Sequence, residues 1–147
     1  MAAGAVQRRW VRVGTQRVSL SVVELGLACC GIEVREARRT AGVLGALDDS
    51  SGPGAVGGPV DLNVLVVAGT VTTRLAPELA EALARMPEPR AVLAFGACAA
   101  TGGPYWDSYS VLPGAHEVVP VDVWVAGCPP RPEDLLAGLA EVLRARA

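Results

Sequence analysis

Three apolar runs along the chain end alike. Val18 to Leu25 leads into Gly26 and then Cys29-Cys30, Ala91 to Ala97 leads into Cys98, and Val121 to Gly127 leads into Cys128. A fourth run, Asp61 to Ala68, ends at Gly69-Thr70 without a cysteine. Short β-rich runs of this kind predict buried strands, and the unbroken apolar character of the fourth predicts burial on both faces. A Gly just past a strand end lets the backbone turn sharply. Between and after the runs the period changes to that of helices. Ile32 to Arg39 opens one, with Glu33 and Glu36 spaced for pairing with arginines. Pro77 to Met86 is a second, with Pro77 in its first turn and Leu79, Leu83 and Met86 on one face. Pro132, Glu133 and Asp134 open a third, with Leu135, Leu136, Leu139, Val142 and Leu143 inside and Arg144 and Arg146 at its negative end. Strands alternating with helices predict an α/β fold, a doubly wound sheet of about four parallel strands in a single domain over residues 18–147. Parallel strands would bring all four thiols to one sheet edge, outside the carboxyl ends, where open α/β sheets place their ligands.

Two segments lie outside this alternation. Residues 1–17 carry Arg8, Arg9, Arg12 and Arg17 around Trp10 without a regular apolar period, and read as a flexible N-terminal arm able to dock on a partner or on anionic lipid. Gly45 to Pro59, rich in Gly, Pro and Ser, reads as a flexible Gly-rich loop. The stretch Thr101 to Tyr109 holds Tyr105, Trp106 and Tyr109, and a loop so aromatic is expected to cover something or to meet a partner.

With 147 residues, 51% hydrophobic content and positive mean hydropathy, the chain can bury a sizeable core, which Ala, Val and Leu must fill because aromatics make up only 4%. All thirteen basic residues are Arg, but the net charge of -2 and their scatter argue against a nucleic-acid partner. The chain shows no secretory signal and no run of about 18 apolar residues, so a cell-interior location without a spanning helix is expected.

In a reducing compartment four cysteines are more often metal ligands or redox centres than disulfides. Neighbouring cysteines make a strained bridge, and zinc sites usually space their first ligands as C-x2-4-C. A cubane cluster presents four irons about its corners, so Cys29 and Cys30, neighbours on a tight turn, can each take a different one. A [4Fe-4S] cluster held by Cys29, Cys30, Cys98 and Cys128 fits best.

Longer motifs carry a resemblance. Gly26-Leu27-Ala28-Cys29-Cys30 with Glu33, Val67 to Thr72 with Ala76-Pro77, Met86-Pro87-Glu88-Pro89, Gly96-Ala97-Cys98 with Gly102-Gly103, Val119-Pro120-Val121-Asp122 and Gly127-Cys128-Pro129-Pro130-Arg131-Pro132-Glu133 resemble, in order, the B-subunit family of the proton-pumping NADH-quinone oxidoreductase, respiratory complex I. The match runs from about Ser19 to Leu143. It implies a flavodoxin-like fold, a [4Fe-4S] cluster on the four cysteines, and electron transfer to a quinone bound against a neighbouring D-type subunit. It also implies docking to a membrane arm, peripherally on the cytoplasmic side. The same fold occurs in small subunits of energy-converting nickel-iron hydrogenases, and a structural assembly role is a further alternative. The chain departs from the family at Ser21-Val22, where Trp-Pro is usual, at Val34-Arg35, where Met-Met is usual, and at Ala126, where Pro is usual. It therefore reads as a divergent member. The backbone amides of Gly31, Ala99 and Ala100 are candidate donors to the sulfurs. Glu33 is a candidate outer carboxylate, equally explained by an ion pair with Arg35, Arg38 or Arg39, and His116 reads as a surface residue.

Overall fold

In the computed structural model of the chain, residues 7–13, 16–25, 29–43, 47–48 and 62–146 are described. They form one sheet of six strands: β1 (Gln7–Val13), β2 (Gln16–Leu25), β3 (Leu47–Asp48), β4 (Leu62–Gly69), β5 (Arg90–Phe95) and β6 (Val123–Val125), in the order β3-β1-β2-β4-β5-β6. The helices are α1 (Cys29–Val43), α2 (Ala76–Ala84), α3 (Ala97–Thr101) and α4 (Pro132–Arg146). Strands β2, β4, β5 and β6 run parallel, giving the expected four-stranded parallel layer of a doubly wound α/β fold.

β4 is the centre, and its composition explains why. Every residue from Leu62 to Gly69 is buried, and the side chains alternate between two cores. Val64, Val66 and Ala68 join Val34 and Ala37 of α1 and Leu135, Leu139 and Val142 of α4 on one face. Leu65 and Val67 join Leu79 and Leu83 of α2, Met86, Ala99, Ala115 and Val119 on the other. A strand covered on both faces needs apolar residues at both parities, which is the continuous run seen in the sequence.

The segment expected to be a flexible arm contains a strand. Gln7–Val13 pairs antiparallel with β2, from Gln7 opposite Val22 to Val13 opposite Gln16. Trp10, Val11 and Val13 are strand formers, and the edge of β2 offers backbone groups that need partners. That pairing is a matter of neighbours in space, which a search for local period does not detect. β1 also pairs antiparallel with β3, so β3 runs in the same direction as β2. Residues 1–6, 14 and 15 of the expected arm and all of the Gly-rich loop 45–59 except Leu47 and Asp48 lie outside the described residues. From β2 the chain goes through α1 to β3 on one side and then takes β4, β5 and β6 in turn on the other. The direction of travel reverses between β2 and β4, and the crevice at the carboxyl ends of such strands is the usual ligand position of this class.

At the opposite edge the sheet is clasped by polar groups. The buried Asn63 donates from Nδ2 to the carbonyls of Pro87 (3.1 Å) and Pro89 (3.2 Å), and its backbone N–H donates to Pro89 at 2.9 Å. Arg90 donates from Nη1 to the carbonyls of Leu83 (2.8 Å) and Met86 (3.3 Å), closing the exit of α2. Asn63→Ala takes the side-chain donor from the Pro87 carbonyl, leaves the Pro89 carbonyl with the backbone N–H alone, and is expected to cost about 1–3 kcal/mol in urea unfolding. A change within about 0.5 kcal/mol would mean that the clasp does not stabilise the fold.

Candidate metal centre

The cysteines sit where strands hand over to helices. Cys29 and Cys30 are the first two residues of α1, so they lie on a helical turn and not on a tight turn ahead of it, and the helix runs on to Val43. Cys98 is the second residue of α3, two residues past Gly96, and Cys128 follows β6. The registers Glu24 to Ala68, Ala68 to Phe95 and Phe95 to Val125 align the strand ends, so all four cysteines stand at the same carboxyl edge.

Backbone contacts join the contributing segments. The N–H of Gly96 donates to the Val125 carbonyl at 2.9 Å and that of Ala97 to the Gly127 carbonyl at 2.8 Å, which ties the Cys98 turn to the Cys128 turn. Cys30 reaches across to the same place: a Cβ built on Gly96 would fall inside the envelope of Cys30 Sγ and 3.5 Å from Pro130 Cδ. All four thiols are free. Cys30 and Cys98 are buried, 1% and 6% exposed, whereas Cys29 and Cys128 are exposed. Burial, then the neighbouring charges of Cys29 and Cys98, a hydrogen bond with Cys29 and the charge of Cys128 push the Cys30 thiol up to about 12. Cys29, Cys98 and Cys128 thus stand near enough to Cys30 to raise its proton affinity, and a metal bound by Cys30 must displace that proton.

The shape of the donor set bears on what it can hold. Around one zinc at 2.3 Å, four tetrahedral sulfurs lie about 3.8 Å apart. Among the described residues no three of His, Cys, Asp or Glu gather as ligands of a single ion. A cubane meets each thiolate at a separate corner and asks for a wider set from several elements. The four thiols are free, two under the surface and two at it.

The other expected site residues divide. Glu33 is half-buried on α1, four residues after Cys29 and therefore on the same helix face. Gly31 is buried in the first turn of α1, and Ala99 is buried in the first turn of α3, where N–H groups have no acceptor within the helix. Ala100 is different: its N–H donates to the Gly96 carbonyl at 3.0 Å, inside the helical pattern, and is not available to a sulfur. His116 is exposed beside Glu117, with Nε2 3.5 Å from Oε1. Among the described residues the aromatic side chains of Thr101 to Tyr109 join neither core. Tyr105, Trp106 and Tyr109 are exposed, Tyr109 almost completely, although the segment is held by hydrogen bonds from Thr73 N–H to the Ser110 carbonyl (3.0 Å) and from Leu112 N–H to the Val71 carbonyl (2.8 Å). Ile32, beside the paired cysteines, is exposed as well. Nothing in the local sequence marks Gly96 or Gly103 as neighbours of thiols. A Cβ on Gly103 would lie 3.1 Å from Cys98 Sγ.

Residues 28–142 match the family described as NADH ubiquinone oxidoreductase, 20 Kd subunit. The chain is 45% identical over 130 residues to the second NADH-quinone oxidoreductase B subunit of Streptomyces griseus subsp. griseus, covering 86% of this chain and 53% of that protein. It is 46% identical over 134 residues to the first NADH-quinone oxidoreductase B subunit of Salinispora tropica, covering 89% of this chain and 68% of that protein. The chain thus spans about half to two thirds of the length of these relatives. Among solved structures, the membrane-bound sulfane sulfur reductase, an archaeal respiratory membrane complex, contains a chain with a TM-score of 0.63 and 30% identity, over 84% of this chain and 68% of that one. A chain of an NAD+-reducing [NiFe]-hydrogenase in the H2-reduced state has a TM-score of 0.53 and 20% identity, over 87% of this chain and 92% of that one, a likeness of fold.

Proposed function

The chain belongs to the NADH ubiquinone oxidoreductase 20 kDa subunit family, and on that premise we propose that it is an electron-transfer subunit of a complex I-like respiratory complex, with a [4Fe-4S] cluster held by Cys29, Cys30, Cys98 and Cys128. The observation that carries this reading is the placement of four free thiols from three segments at one sheet edge. When bound, the cluster supplies reversible one-electron chemistry, and the protein contributes position, burial and electrostatics. Cys30 and Cys98 hold the side turned into the core, beneath which Phe95, Ala68 and Leu93 exclude water. Cys29 and Cys128, both exposed, would hold the group from the solvent side.

The proposed acceptor is a quinone, bound against a D-type large subunit that covers the exposed Ile32, Tyr105 and Trp106. Large apolar side chains left in the open at a cluster edge are what an obligate neighbour would bury. Among the described residues no helix is long and apolar enough to cross a membrane, so the proposed attachment is peripheral, by docking to a membrane arm on the cytoplasmic side. Proton translocation would belong to that complex. The second reading, a small subunit of a nickel-iron hydrogenase-type complex, has a likeness of fold alone behind it.

Anaerobic purification of the native complex tests both. The expected result is brown material with near-stoichiometric iron and sulfide, a reduced-cluster signal in electron paramagnetic resonance, and a D-type large neighbour that copurifies. A large neighbour with nickel-ligating cysteines transfers the chain to the second reading. A colourless, zinc-containing preparation supports a structural assembly role and removes electron transfer.

A further inference from the structure

Two residues without side chains border the two buried thiols. Gly96, with φ +98°, lies where a Cβ would overlap Cys30 Sγ, although Cys30 comes from a different helix. Gly103, with φ +56°, would place a Cβ 3.1 Å from both the Sγ and the N of Cys98. Both separations are shorter than ordinary van der Waals contact, so a methyl group would have to move the sulfur or the backbone. Absence of a side chain is not simply the rule near the cysteines. Gly31, beside Cys30 on α1, has no atom outside its chain neighbours and its own helix backbone within 4 Å of its Cβ position. At Gly96 the nearest atom is the Cys30 sulfur, at Gly103 the Cys98 sulfur together with the backbone N of the same residue, and both thiols are buried.

We infer that Gly96 and Gly103 are positioning residues for the inner thiols, leaving the space that Cys30 and Cys98 occupy and so fixing the direction in which each sulfur meets the cluster. This rests on the cluster reading above. Cys30 stands on α1 with its neighbours Cys29 and Val34 set by the helix, so its sulfur has few directions open to it. Closing the gap at Gly96 displaces that sulfur. Cys98 stands on the short α3, whose C-cap Gly102 has φ 87°, and Gly103 folds the chain back across its sulfur. Outer groups that orient ligands in this way typically govern affinity by about 10–100-fold.

The test uses the full chain as wild type, Gly96→Ala, Gly103→Ala and Gly138→Ala. Gly138→Ala is the packing control: its Cβ would meet Val125 Cγ2 at 2.8 Å and Leu93 Cδ1 at 2.9 Å, beneath α4, and it contacts no thiol. Metal-free protein is alkylated with iodoacetamide and each cysteine quantified by mass spectrometry. The same proteins are then reconstituted anaerobically with iron and sulfide and challenged with a chelator. In Gly96→Ala the alkylation of Cys30 rises several-fold, in Gly103→Ala that of Cys98 does, and both lose iron to the chelator about tenfold faster than wild type. Gly138→Ala melts at a lower temperature but keeps the wild-type alkylation pattern and chelator rate. The inference is overturned if both site variants behave as wild type, or if Gly138→Ala reproduces their changes. The strained backbone at Gly96 can prevent that variant from folding; the milder left-handed position at Gly103 then decides the matter alone. Wild type that takes up neither iron nor sulfide refutes the cluster reading, while the alkylation arm still decides whether the glycines place the thiols.

Discussion

Cys98→Ser reconstituted anaerobically is expected to hold iron and sulfide only at background level, where the wild-type chain takes up about four irons. Cys30→Ser should behave in the same way, whereas Cys29→Ser and Cys128→Ser are expected to keep a measurable fraction of the cluster. The ordering follows from burial. Cys30 and Cys98 are 1% and 6% exposed, and the side chains of the two cores beneath them are apolar, with none able to replace a thiolate. Cys29 and Cys128 are exposed, so water can take the vacated corner. Iron and sulfide assays with the visible absorption of each variant check this. Equal loss at all four positions, or retention in Cys98→Ser, would contradict the division into an inner and an outer pair.

That division was only partly legible in the sequence. The repeated order of strand, glycine and cysteine announced which residues reach the edge, because a strand end, a turn and a ligand are local features. β4 was legible for the same reason: a strand covered on both faces must be apolar at nearly every position from Leu62 to Ala68. α2 was readable from Pro77, Leu79 and Leu83, and its observed span, Ala76–Ala84, is slightly shorter than the expected one because Arg85 caps it. What required long-range pairing was hidden. The run Val121 to Gly127 looks like one strand, yet only Val123–Val125 pairs. Asp122 uses both its N–H and its carboxylate on Val92, and Gly127 turns against Pro130. β1 was missed because its partner is an edge, not a period. The gaps at Gly96 and Gly103 were hidden for a related reason. A glycine beside a cysteine signals a turn, and nothing in the local order of residues says that the sulfur filling the gap at Gly96 arrives on another helix.

Phe95→Ala is expected to produce the largest loss of stability at any single apolar position near the site. Phe95 is the largest of the fully buried side chains, ends β5 and is followed directly by Gly96. It sits among Ala68, Val125 and Cys30 in the core beneath α1 and α4. Removing such a ring costs about 3–5 kcal/mol, against total stabilities of about 5–15 kcal/mol for domains of this kind. For a chain of this size that corresponds to a fall of about 10 °C in melting temperature, since each kcal/mol is worth about 2–4 °C. Phe95→Leu keeps most of the volume and should lose about 1–1.5 kcal/mol. Trp124→Ala, on the neighbouring strand but half-exposed, removes a larger side chain at smaller cost, because water already reaches much of its surface. Thermal unfolding of the three variants separates packing from size. If Trp124→Ala destabilised more than Phe95→Ala, the apolar floor under Cys30 would not be what holds this edge together. A bound cluster adds stability to every variant that holds it, because only the folded chain offers all four thiols at once. The gap between wild type and Phe95→Ala should then widen on reconstitution, as the ring supports the strand end from which Gly96, Ala97 and Cys98 depart.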